Sequence, residues 1–127
     1  MRTRAMLFTA MALIEVGAGL SLLGLPALGI SLLLGVGDPA LEALVVARIC
    51  GAGVLALGVA CWLARDDSGS RSQDGLLWGM LIYNIGACSV LALAGLPTAG
   101  VALWPVVALH GAMTIWCALN LRGSAAS

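Results

Sequence analysis

The chain has 127 residues, of which 61% are hydrophobic and 9% are charged, and its formal net charge at pH 7 is zero. A water-soluble domain needs about a quarter of its residues charged to cover its surface, so this composition indicates a protein surrounded mostly by lipid. The zero net charge argues against a nucleic-acid partner, because phosphate binding needs a basic face. All cations are arginines, which, with the abundant Ala, Gly and Leu, is typical of a GC-rich bacterial genome.

Four apolar segments are long enough to cross a bilayer, whose core of about 30 Å requires roughly 20 mainly apolar residues per helix. They cover about residues 5–24, 41–64, 75–96 and 101–121. We therefore predict one all-α domain over residues 1–127, an integral membrane bundle of four transmembrane helices. The run PALGISLLLG after the first helix is too short to span and too apolar for water. We expect a short interfacial or re-entrant segment there.

The arginines predict the orientation of these helices. Arg2 and Arg4 precede the first helix, Arg65 and Arg71 flank the connection between the second and third, and Arg122 follows the fourth. The other two connections contain no arginine. Because positive residues remain on the cytoplasmic side, we expect a multi-pass protein of the bacterial inner membrane with cytoplasmic N- and C-termini.

Each predicted helix brings a strongly polar side chain toward the middle of the bilayer: Glu15, Arg48, Tyr83 with Asn84, and His110. Glu15 lies about 16 Å along its helix from Arg4, close to the midplane. A charge at that depth costs about 2.5–3.5 kcal/mol on insertion scales, and such residues usually face inward and pair. Glu15 and Arg48 differ in depth by about 3–5 Å, so an ion pair between them is one expectation.

Two interpretations of this polar layer remain open. It is either a mutually satisfied network that fixes the order of the helices, or a midplane site for a proton, an ion, a quinone or an amphipathic ligand. Haem between helices usually needs two axial ligands, and a single histidine does not supply them. The absence of C-x-x-C argues against a zinc site. We therefore expect no cofactor and no metal. The four cysteines fall inside helices, where we expect them to be buried. No catalytic motif is present, which favours a non-enzymatic protein.

Small residues on the predicted helices favour close helix packing. Gly19 shares a face with Glu15, Gly51 and Gly58 share a face of the second helix, and Gly75 and Gly79 open the third. In lipid, such spacing lets helix backbones approach closely. The expected partners are therefore the bilayer together with further copies of this chain or another membrane subunit.

A short internal similarity suggests how the helices pair. Residues 24–33 read GLPALGISLL and residues 95–104 read GLPTAGVALW, each after an odd-numbered transmembrane helix. This arrangement predicts two hairpins, one from the first two spanning helices and one from the last two.

Two resemblances to known families centre on Glu15. The runs ALIEVGAGLSLLGLPALGISLLLG and VARICGAGVLALGV resemble helices of the DoxX-like four-helix membrane proteins. That resemblance implies a small bacterial inner-membrane protein, in some cases an accessory subunit of quinone-linked redox systems, and carries over no catalytic residue. The Glu15-Val16 pair in the first of four short helices is similar to the essential glutamate of small multidrug-resistance transporters. Arg48 and the strong arginine bias depart from that second pattern.

Three functions follow from these observations, in order of preference. The first is a non-enzymatic membrane protein that acts as an oligomer or as an accessory subunit. The alternative is a proton-coupled exporter of small cationic compounds that works through Glu15. The third is a membrane enzyme or binder that holds a lipid or quinone against Tyr83, Asn84 and His110.

Overall fold

A computed structural model describes residues 2–67 and 69–125 of the protein. These residues form five helices: α1 (Arg2–Gly24), α2 (Pro26–Leu34), α3 (Leu41–Ala64), α4 (Arg71–Ala94) and α5 (Leu103–Ala125). All but α2 are long and apolar enough to cross a membrane. The chain is therefore a multi-pass membrane protein. The predicted all-α bundle of four spanning helices, with a short segment after the first, is confirmed.

The ends of the helices are set by local chemistry that hydropathy does not report. α4 begins at Arg71 rather than at residue 75, because the Ser70 side chain accepts a hydrogen bond of 3.0 Å from the backbone N–H of Gln73 and caps the helix. α5 begins at Leu103 and extends past residue 121. Pro105 consequently lies in its first turn, where proline removes no intrahelical hydrogen bond.

The spanning helices form two pairs, as the hairpin prediction requires: α1 packs along α3, and α4 packs along α5. Contacts between the two pairs are much sparser. The α1–α3 contact is close because glycines meet there. A Cβ atom at Gly19 would lie 2.6 Å from the backbone nitrogen of Leu55, and one at Gly58 would lie 2.8 Å from the backbone nitrogen of Val16. The small-residue faces of these two helices are thus occupied within the chain.

The short helix α2 joins α1 to α3 at one end of the bundle, which we call the α2 end, and contacts the other pair there. Leu25 leaves the helical conformation (φ −130°, ψ 54°) before Pro26, and this ends α1 and starts α2. At the other end of α2, the carbonyl of Leu33 accepts a hydrogen bond of 3.0 Å from the backbone N–H of Gly100. That bond ties α2 to the connection between α4 and α5.

The opposite end of the bundle, which we call the termini end, is closely packed. Arg4 on α1 forms an ion pair of 2.7 Å with Asp74 on α4. The buried side chain of Gln73 donates a hydrogen bond of 2.8 Å to the carbonyl of Ala64 at the end of α3. Next to these contacts lies the hydrophobic core, formed by Leu7, Phe8, Met11, Ala12, Cys61, Leu77, Met80 and Cys117. The two helix pairs are therefore joined most firmly at the termini end.

Candidate functional site

A cavity of about 860 Å³ lies between the two helix pairs toward the α2 end. Residues of all five helices line it, and most of them are Ala, Gly, Leu or Val. On α4 and α5, the lining residues farthest from the α2 end are Tyr83 and His110, which form a polar floor near the middle of the bundle. The volume is within the range of small-molecule sites, about 300–1,000 Å³.

Glu15 lies behind this floor. The hydroxyl of Tyr83 donates a hydrogen bond of 3.1 Å to Oε2 of Glu15. The glutamate residue is only 3% exposed, so the carboxyl group is enclosed by the bundle. Because Tyr83 lines the cavity and Glu15 does not, Tyr83 connects the carboxyl group to the cavity.

Asn84 lies behind the other half of the polar floor, next to His110. The amide nitrogen of Asn84 donates to the carbonyl of Met80 at 2.7 Å, so its side-chain oxygen is the atom that faces His110. That oxygen lies 2.8 Å from Nδ1 of His110. An amide oxygen only accepts, so Nδ1 carries the proton. The Tyr83 and His110 rings also meet edge to face, with 5.6 Å between their centroids, and this contact joins the two hydrogen-bonded pairs.

Arg48 does not belong to this group. Its side chain is exposed, it does not line the cavity, and it forms no hydrogen bond or ion pair with any residue of the described ranges. The ion pair with Glu15 is therefore not formed, and Tyr83 takes that place. The structure thus brings together Glu15, Tyr83, Asn84 and His110 of the predicted polar layer, and leaves Arg48 outside it.

The cavity includes residues that the sequence did not single out. Cys50, expected to be buried, is exposed and lines the cavity, whereas Cys61 and Cys117 are buried as expected. Ser21 of α1 also lines the cavity, and its hydroxyl donates to the carbonyl of Gly17 at 2.8 Å. Neither residue differs in its sequence context from others in the same helices, so no pattern could have identified them.

The arrangement offers an apolar ligand a matching wall and a small number of hydrogen-bonding groups at one end. Within residues 2–67 and 69–125, no three His, Cys, Asp or Glu side chains lie close enough to hold a metal ion. Comparison with protein-family models, with curated proteins and with solved structures gives no match. The case for a function rests on the geometry of the site.

Proposed function

We propose that the protein is a non-enzymatic membrane protein that binds an amphipathic molecule of the lipid or quinone class in the cavity between its helix pairs. The observation that carries this proposal is the shape of the site: apolar walls enclose a cavity of about 860 Å³, and the cavity ends at the polar side chains of Tyr83 and His110. Ligand sites of this kind are largely apolar, with a few polar groups that fix the orientation of the ligand. The apolar tail would lie toward the α2 end and the head group against the floor.

Filling the cavity tests this proposal. Ala87 on α4 lines the cavity, and Ala112 on α5 is exposed and does not. We expect protein in nanodiscs to bind tritiated para-decylphenol saturably in a scintillation proximity assay. Ala87→Phe should weaken binding at least about tenfold, because the ring occupies ligand space at a cost of roughly 1.4 kcal/mol or more. Ala112→Phe should bind like the wild type.

The control for membrane partitioning is nanodiscs without protein. Binding that never saturates above that background, or equal binding by the Ala87→Phe and Ala112→Phe proteins, would contradict a ligand site in the cavity.

Proton-coupled export of small cationic compounds is the second candidate function. It is favoured by one specific observation: no cationic side chain of the described ranges pairs with Glu15, which accepts a hydrogen bond from Tyr83. In proteoliposomes with a proton gradient, Glu15→Gln should abolish movement of ethidium, because the amide cannot exchange a proton. Arg48→Gln is the control and should retain it. This function would be contradicted if the wild-type protein moved no ethidium, or if Glu15→Gln moved ethidium as fast as the wild type.

We also propose that the protein acts as an oligomer or as an accessory subunit of a membrane complex. Supporting this, Gly75, Gly79 and Gly86 lie on an exposed side of α4, and a Cβ atom at any of them would meet nothing within 4 Å. Unlike the glycines between α1 and α3, these positions leave room for a neighbouring backbone. A DoxX-like role beside another membrane subunit agrees with such a surface.

The proposed orientation places the termini end in the cytoplasm of a bacterium and the α2 end outside the inner membrane. It is supported by the arginines at the chain ends and in the α3–α4 connection. In a cysteine-free protein, a cysteine introduced at Asp38 should react with a membrane-impermeant maleimide added to intact cells. A cysteine at Ser70 should react only after lysis. Labelling of the Ser70 position in intact cells would contradict this orientation and indicate the opposite one.

A further inference from the structure

The polar side chains that line the cavity share one property: each of their N–H and O–H groups already donates a hydrogen bond to another group of the protein. The hydroxyl proton of Tyr83 goes to Glu15 at 3.1 Å, and that of Ser21 goes to the carbonyl of Gly17 at 2.8 Å. Nδ1–H of His110 goes to Asn84 at 2.8 Å. The lining residues of the spanning helices also use their backbone N–H groups within the helices. Apart from the weak S–H donor of Cys50, the cavity presents acceptors.

The strongest of these acceptors is Nε2 of His110. With the single ring proton on Nδ1, Nε2 carries a lone pair. No carboxylate of the described ranges forms an ion pair with His110, so a second ring proton would place a charge in an apolar layer at a cost of several kcal/mol.

In the described part of the chain, every fully buried side-chain nitrogen or oxygen atom has a hydrogen-bond partner. Nε2 of His110 has none, so this atom is accessible even though the residue as a whole is 8% exposed. His110 lines the cavity, and because Nδ1 is bound to Asn84, Nε2 is the ring nitrogen left for a ligand there. In an apolar cavity few other groups can donate to this lone pair, so a donor on the ligand gains a hydrogen bond there.

We infer that the ligand carries a hydroxyl group at the polar end of its apolar body and donates that hydroxyl proton to Nε2 of His110. The ligand class is therefore phenols, quinols or long-chain alcohols, rather than ethers, esters or oxidised quinones, which present only acceptors to an acceptor site. This inference rests on the proposed ligand site and adds the chemistry of the head group.

A matched pair of ligands tests the inference separately from the site itself. Para-decylphenol and para-decylanisole have the same ring and tail, but the methyl ether has no donor. We expect wild-type protein in nanodiscs to bind the phenol about tenfold more tightly, which corresponds to one hydrogen bond of roughly 1.4 kcal/mol. His110→Leu should bind the two compounds equally, at the affinity of the wild type for the ether.

Equal affinities in the wild type, or a preference for the phenol that survives in His110→Leu, would overturn the inference and leave the ligand site intact. Failure of both compounds to bind above empty nanodiscs would overturn the site and the inference together.

A second measurement needs no variant, in case His110→Leu does not fold. The chain contains one histidine, so nitrogen-15 NMR of protein labelled at histidine reports on His110 alone. We expect the spectrum of the tautomer protonated at Nδ1, and a shift of the Nε2 resonance when para-decylphenol is added but not when the ether is added. The opposite tautomer, or a resonance that the phenol leaves unchanged, would overturn the inference.

Discussion

Replacing Gly19 with alanine is expected to lower the free energy of unfolding by about 3 kcal/mol, at the upper end of the usual range for overpacking. The new methyl group would lie 2.6 Å from the backbone nitrogen of Leu55 and 2.8 Å from the carbonyl oxygen of Gly51. Both atoms belong to the backbone of α3, so no side-chain rotation relieves the contact. The two helices must separate and lose packing along much of their shared length. Unfolding by sodium dodecyl sulfate in mixed micelles measures the effect.

Gly17 on the same helix provides the matched control, because a Cβ atom there would meet nothing within 4 Å. Gly17→Ala should therefore unfold at the same detergent fraction as the wild type or at a higher one, since alanine favours the helix. Equal stability of the Gly19 and Gly17 variants would show that α1 and α3 do not pack closely at their glycines.

The second large effect concerns the hydrogen bond between Tyr83 and Glu15. In a double-mutant cycle, Glu15→Leu and Tyr83→Phe should be coupled by about 1.5 kcal/mol, the upper end for a hydrogen bond between uncharged side chains. The reason is that either change alone breaks the hydrogen bond between the two enclosed side chains. Once the bond is broken, the second change has no hydrogen bond left to remove. Unfolding of the four proteins in one detergent mixture gives the coupling free energy.

The same cycle with Arg48→Gln in place of Tyr83→Phe is the control. Because Arg48 is exposed and makes no contact with Glu15, the two effects should add to within about 0.5 kcal/mol. A coupling of more than about 1 kcal/mol between Glu15 and Arg48, or none between Glu15 and Tyr83, would mean that the carboxyl group pairs with the arginine after all.

Hydropathy and helix geometry are enough to place the spanning helices and to give Glu15, Tyr83, Asn84 and His110 matching depths. A bilayer requires long apolar helices whatever their neighbours are, so hydropathy located α3 at residues 41–64, as observed. The rise of 1.5 Å per residue also placed Glu15, Asn84 and His110 at compatible depths. All four residues that meet at the cavity floor and behind it could therefore be grouped, with Tyr83 next to Asn84, before any tertiary contact was known.

Which way each helix faces depends on how the helices pack against one another. In a soluble helix the apolar stripe reveals the inward side, but in a membrane both sides are apolar and this signal is absent. Arg48 shows the consequence. Three residues along a helix amount to about 300° of rotation and one residue to about 100°, so Arg48 and Cys50 fall on different sides of Gly51. The packing also sets the register: Val16, next to Glu15, meets Gly58, which lies ten residues or about 15 Å along α3 from Arg48.

The packing of Gly51 against α1 fixes that rotation, turning Cys50 into the cavity and Arg48 away from it. The close approach of glycine backbones thus fixes both the rotation and the register of α3 against α1. This is the physical reason why the carboxyl group of Glu15 meets a tyrosine, while Arg48 remains on the outer surface of the bundle and nearer the α2 end.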